Sequence, residues 1–130
     1  MRRQSRELAL QILFQIEFAP QIEYAEFLEV FEQSFDQEVI DYADLIINGV
    51  KSNTEKLDAL IKGSSQNWAV SRMAIVDRNI LRMSVFEMKV MDNPLKAEIV
   101  INEAVDLAKK YGSTDSGSFV NGILNQVSKS

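Results

Sequence analysis

The sequence predicts an all-α protein of about seven helices. Three observations carry that reading. Apolar residues recur three and four positions apart over most of the chain. No stretch alternates as a half-buried strand would. Polar breaks at Gly63-Ser64-Ser65, Asn93-Pro94 and Gly112-Ser113-Thr114 cut the chain into helix-sized pieces.

The first helix is expected over 3–19. Leu8, Ile12 and Ile16 form one apolar stripe, and Leu10, Phe14 and Phe18 form a second about 200° away. A helix apolar on two sides is buried by several neighbours or keeps one side for a partner. The second helix is expected over 24–35, from Tyr24, Phe27, Leu28, Phe31 and Phe35 with glutamates opposite. Val39, Tyr42, Ala43, Ile46 and Val50 give the third, with Ser34 or Asp36 as N-cap. Leu57, Leu60 and Ile61 mark a shorter fourth, capped by Asn53 or Thr54 and closed at Gly63. Residues 71–91 read as a long fifth helix, again apolar on two sides (Met73, Val76, Ile80, Met83 against Leu81, Val85, Met88). Pro94 pushes Asn93 out of the helical region. The sixth helix follows over 95–111 and the seventh over 116–128. Asn48-Gly49 and Asn121-Gly122 sit inside helical periodicity, so hairpins are rejected there. A glycine inside a helix costs about 1 kcal/mol against alanine, so another backbone is expected to approach closely at Gly49 and Gly122.

With 130 residues, one domain with a real core is expected. No apolar run approaches the ~20 residues that span a bilayer. Cysteine is absent, which removes disulfides and thiolate metal sites and fits a reducing, cytoplasmic setting. Histidine is also absent, and with it the commonest general base and transition-metal ligand. No GK[ST] follows the glycines at 112, 117 and 122, so there is no P-loop. Neither catalysis nor a cofactor is expected. The net charge of −5 hides an asymmetry: residues 1–50 sum to −7 and residues 51–130 to +2. Any nucleic-acid surface must therefore be local.

Arg2, Arg3 and Arg6 open the first helix, where cations oppose the helix dipole. Guanidinium groups at a chain start suit phosphate contacts, and a solvated start is the plain alternative. Phe119 begins the last helix among Asp115, Ser116 and Ser118. Free N–H groups, hydroxyls and an aromatic could hold a phosphate and stack a base. Equally, Asp115 or Ser116 could be the N-cap and Phe119 core. Glu103 could pair with Arg78 or Arg82 across the bundle. Asp77, Arg78 and Arg82 otherwise read as an exposed charge pattern, and Lys109-Lys110 as a positive helix end.

These pieces together resemble the transcription antitermination factor NusB family. They run in order as RRQSRELALQILFQIE at 2–17, YADLIINGV at 42–50, VDRNILRMSVFEM at 76–88, VINEAVDLAKKYG at 100–112 and SFVNGIL at 118–124. The resemblance implies one NusB-like domain over 1–130, built of helical subdomains at 1–63 and 66–130. It implies a non-catalytic partner of NusE, a ribosomal protein of the small subunit. The pair would bind single-stranded boxA RNA of ribosomal operons and join the RNA polymerase antitermination complex. Carried over by position, RNA contacts fall on Arg2, Arg3, Arg6, Phe14, Asp115, Ser116, Phe119 and Asn121. Partner contacts fall on Asp77, Arg78 and Arg82. Gln4 breaks the basic run, which makes dependence on the partner more pronounced. Two alternatives accompany this reading. One is a NusB-like domain of a ribosomal RNA cytosine methyltransferase, although a chain ending at Ser130 carries no catalytic half. The other is a helical module that forms a homodimer through its first helix.

Overall fold

A computed structural model describes residues 2–32, 34–65 and 68–130, without the side chains of Phe31 and Glu32. Seven α-helices account for the described residues: α1 (Arg2–Phe18), α2 (Tyr24–Glu32), α3 (Gln37–Ser52), α4 (Thr54–Ser65), α5 (Ile75–Val85), α6 (Ala97–Tyr111) and α7 (Ser116–Lys129). A single 3-10 turn, Val70–Arg72, precedes α5, and a π turn, Phe86–Val90, extends it. Among the described residues no strand forms, and no helix is long and apolar enough to cross a membrane.

α5 is the central helix, as its two apolar sides predict. It packs on α1, α3, α4, α6 and α7, and buries Ile80, Leu81, Met83 and Val85. α1 buries Leu8, Ala9, Leu10, Ile12 and Leu13 against α3 and α5. Its second stripe fades toward solvent: Leu10 is buried, Phe14 half-buried and Phe18 72% exposed. α6 and α7 form an antiparallel pair joined by the short 112–115 turn. One apolar cluster runs from Leu8 on α1 to Val127 on α7.

Several details differ from expectation. α2 ends at Glu32, so Phe35 packs on the core from the turn after it; the predicted place of Phe31 lies outside the described side chains. Gly63 does not end a helix: α4 continues to Ser65 and packs on α5 and α7. The expected boundary at 63 therefore falls inside a helix grouped with the second half. Asn53 and Thr54 cap the end of α3 rather than the start of α4. Asn53 Nδ2 donates to Gly49 O at 2.8 Å, and Thr54 Oγ1 donates to Val50 O at 2.7 Å. The long fifth helix is shorter than expected because Val70–Arg72 is a separate turn and Phe86–Val90 is wound wide.

Gly49 is approached closely, but by a side chain rather than a backbone. A Cβ there would fall inside the Phe86 ring. Nothing lies within contact of a Cβ at Gly122, so that expectation fails; Gly122 faces solvent.

Candidate functional site

The three arginines of α1 do not form one cluster. Successive residues of a helix point about 100° apart, and here each arginine meets a different environment. Arg2 turns toward α3 and lies over the Tyr42 ring, its guanidinium carbon 3.6 Å from the centroid. That is cation–π distance. Glu38, Asp41 and Leu45 line the same depression.

Arg6 is only 4% exposed, so it is not a surface cation. Its Nε and Nη2 each donate to Glu87 at 2.9 Å, a two-pronged bond to one carboxylate. The Tyr42 hydroxyl also donates to Glu87. Burial alone would lower the Arg6 pKa, but the bonds and charge of Glu87 outweigh it and hold the guanidinium above its usual range. Burial and the bond to Glu87 push the Tyr42 hydroxyl up to about 12. An arginine so enclosed cannot reach an RNA strand, which removes it from the expected contacts.

Arg3 faces the opposite way, onto α6. It donates to Glu103 at 2.9 Å and to Asp106 at 2.7 Å, and it remains mostly exposed. The expected pairing of Glu103 with Arg78 or Arg82 does not occur. Lys110 Nζ donates to Glu7 at 2.8 Å, one turn further along the same α1–α6 seam. The bond to Glu103 raises the pKa of Arg3, and the bond to Glu7 raises that of Lys110.

Beside Asp106, α6 and α7 enclose a polar groove of about 560 Å³, lined by Asn102, Val105, Asp106, Lys109, Gly117, Ser118 and Asn121. Gly117 lets the helices approach: a Cβ there would press Lys109 Cγ at 3.3 Å. Asn121 is exposed and accepts from Asn125 Nδ2 at 3.1 Å. Asp106, which Arg3 binds, lines the same groove as Asn121.

Asp115 and Phe119, one turn apart, face the other side of α7. They line a cleft of about 320 Å³ with Trp68, Met73, Ala74, Asp77, Ser113 and Ser116. The Phe119 and Trp68 rings meet edge to face with centroids 6.1 Å apart. Phe119 is half-buried, so it is part core and part wall. Ser116 is 2% exposed, and its Oγ accepts from Ser113 N at 2.9 Å. It closes the turn, and its hydroxyl is not free for a ligand. Asp115 stands at the N-cap position without a side-chain cap bond.

Arg78 and Arg82 are not an exposed pattern. Arg78 is ion-paired with Glu17 and donates to Met73 O at 3.2 Å. Arg82 grips Asp58 in a forked pair at 2.7 and 2.9 Å. Both side chains are less than a fifth exposed, so they tie α5 to α1 and α4 rather than offer charge outward. Asp77, in contrast, lines the Phe119 cleft. Its neighbour Val76 lines a smaller apolar hollow of about 220 Å³ with Leu10, Gln11, Phe14, Gln15 and Tyr111. Phe14 stacks nearly parallel to Phe18 at 6.1 Å. Phe14 therefore lies against Val76 and Tyr111 and not in the depression that Arg2 lines.

Trp68 and Tyr111 line these depressions and were not picked out in the sequence, while Lys109 and Lys110, read there as a positive helix end, stand at the groove and at the α1–α6 seam. Trp68 carried a signal, being a tryptophan in a polar stretch with no apolar periodicity to bury it. Among the described residues no group of carboxylates could hold a metal ion.

The NusB family model matches residues 3–129. The transcription antitermination protein NusB of Bdellovibrio bacteriovorus is 66% identical over 128 residues, covering 98% of this chain and 95% of its own. That of Anaeromyxobacter dehalogenans is 47% identical, covering 97% and 89%. Among solved structures, Thermotoga maritima NusB superposes with a TM-score of 0.90 at 35% identity, covering 99% of this chain and 91% of that one. A complex of antitermination factors NusB and NusE with double-stranded RNA contains a chain that superposes at 0.82 with 28% identity, covering 98% and 96%. Both of these sequence relatives are transcription antitermination proteins by name. Matched over nearly its whole length in sequence and in fold, this chain belongs to the NusB family.

Proposed function

We propose that the protein is a transcription antitermination factor that pairs with NusE, holds single-stranded boxA RNA of ribosomal operons and brings the pair to RNA polymerase. One observation carries the RNA half of this reading. The only exposed α1 arginine on the α6 side, Arg3, adjoins a polar groove that Lys109, Ser118 and Asn121 line. Groove, cations and amides together suit a ribose-phosphate backbone. Apart from that groove stand the hollow at Phe14 and the cleft at Asp77, Asp115 and Phe119, and we assign Asp77 of that cleft to the contact with NusE. The complex of NusB and NusE with RNA supports a protein partner and an RNA strand on one fold.

The RNA edge is charge-balanced, since Glu7, Glu103 and Asp106 offset Arg3, Lys109 and Lys110. Phosphates must displace exposed ion pairs to reach these cations. Such pairs in solvent are weak, so the exchange is easy, but the lone protein binds weakly. Filter binding of a short boxA strand, with and without NusE, tests the proposal. Weak, salt-sensitive retention alone and tighter retention with NusE are expected. Equal retention of a scrambled strand in both conditions would refute it. The exposed Phe18 beside Phe14 supports a second reading for the unpartnered protein. Two copies would join through α1, a state that light scattering detects and that added NusE should dissolve.

A further inference from the structure

We infer that Tyr42 is a positioning residue for RNA binding: its ring holds the Arg2 guanidinium by one face and leaves the N–H groups at the edge open to a phosphate of the strand. The inference rests on the RNA reading above and adds the device that presents one of its cations.

The three arginines of α1 differ in what holds them. Arg6 gives its donors to Glu87, and Arg3 gives its donors to Glu103 and Asp106. Arg2 is exposed, and its contact is the Tyr42 ring, 3.6 Å from guanidinium carbon to centroid. A carboxylate takes a guanidinium by its N–H edge. A ring takes it by the flat face. Arg2 is therefore oriented without an ion pair to any carboxylate among the described residues. A phosphate has a bond to displace at Arg3 and none at Arg2.

Acids stand near enough to compete. Glu38 and Asp41 line the same depression as Arg2, with Leu45 as its apolar wall. Each has its own reason to be there. Glu38 lies in the first turn of α3, where the helix dipole favours an acid. Asp41 accepts from Gln37 Nε2 at 2.8 Å. They oppose a phosphate deep in the depression, so the contact belongs at its rim. Without the ring, Arg2 would be free to swing onto one of them, as Arg3 lies on Glu103.

The ring in turn is pinned. Tyr42 is buried, and its hydroxyl donates to Glu87, which also holds Arg6. Glu87 sits in the π turn Phe86–Val90, and such turns inside helices are frequent at functional sites. A buried ion pair is a weak way to add stability, since matched apolar side chains often do as well. Here it also fixes an aromatic plate at the start of α1. Contacts run without a break from Glu87 in the core, through Tyr42, to Arg2 at the surface.

A double-mutant cycle read by RNA binding tests this. The probes are a short boxA strand and an oligouridylate of equal length, each with NusE present. Arg2→Ala should lower the slope of log affinity against log salt by about 0.7, the share of one phosphate on a single strand. Tyr42→Leu removes the ring and should lower the slope alike, with affinity reduced about two- to fivefold. Tyr42→Phe keeps the ring and should preserve both. In the Arg2→Ala background, Tyr42→Leu should have no further effect. A loss of equal size in both backgrounds would make Tyr42 a core residue alone and overturn the inference. A Tyr42→Phe variant as weak as Tyr42→Leu would overturn it too. Titrations run below the melting temperature of each variant. Should Tyr42→Leu not fold, NMR of the unaltered protein decides. The Arg2 Nε–H signal should be displaced by the ring and should move when a strand is added. A signal at the open-chain position, or one that no strand moves, would refute the inference. Equal retention of the boxA strand and oligouridylate would sink the boxA reading, while the cycle on oligouridylate still decides Tyr42. No binding of either strand would sink both.

Discussion

Arg3 and Arg6 lie one turn apart on α1, and both bind carboxylates, yet they do opposite work. Arg6 is enclosed with Glu87 and Tyr42, and the Glu87 carboxylate accepts from both of them. Arg3 sits in solvent with Glu103 and Asp106, in bonds that water or a phosphate can replace. The difference is dielectric. An enclosed pair must stay intact, because either partner alone is a stranded charge. An exposed pair is worth little and so can be exchanged. Local sequence does not separate the two; the neighbours of each do.

The comparison breaks most visibly at Arg6. Arg6→Met strands Glu87 and should destabilise the fold by about 3–5 kcal/mol, read from urea denaturation. Adding Glu87→Leu should restore much of that loss, since a matched apolar pair can replace a buried ionic one. Failure of the double variant to recover would mean that the pair does more than satisfy itself.

Next in size is an alkaline effect confined to the buried centre. Tyr42 titrates near 12 in the fold, against about 10 in an open chain. Its contribution is complete below pH 10 and is lost as pH rises through 12, because the unfolded chain gives up the proton first. Tyr42→Phe should flatten the urea-midpoint profile across that window. Tyr24, raised by burial and its bond to Asp44, leaves a residual slope.

At the exposed pair the sign of interest moves from stability to binding. Arg3→Ala should leave the melting temperature essentially unchanged, because an ion pair in solvent adds little to stability. It should reduce the slope of log affinity against log salt for a boxA strand by about 0.7, the share of one phosphate on a single strand. A slope identical to that of the unaltered protein would remove Arg3 from the RNA edge. The smallest effect is the most telling. Asp106→Asn frees Arg3 from one of its two competitors, so RNA should bind a few-fold more tightly with an unchanged melting temperature.

The helices were legible because 3.6-residue periodicity is a direct image of burial. α3, α6 and α7 appear within a few residues of where their apolar spacing puts them. The ends were less legible. Gly63 looks like a stop, but the packing of α4 on α5 and α7 carries the helix past it. The site was legible as a list and not as a geometry. Phe119, Asp115 and Asn121 are close in sequence, yet a helix sends them to two sides. Arg6 could have been found: it continues the Ala9–Leu13 stripe backwards by one turn, and Glu87 is the lone acid within the apolar run 83–88. Two charges misplaced on buried faces imply each other.

The wide turn at 86–90 has one more consequence. It places Glu87 inward, and it seats Phe86 in the notch that Gly49 leaves. Deleting a single residue there to make the spiral regular would rotate everything on one side by about 100°. The acid would swing away from its guanidinium and the ring out of its notch together. That corner therefore sets the molecule's register, and insertions or deletions are better tolerated in the 19–23 connection than anywhere between Ile75 and Val90.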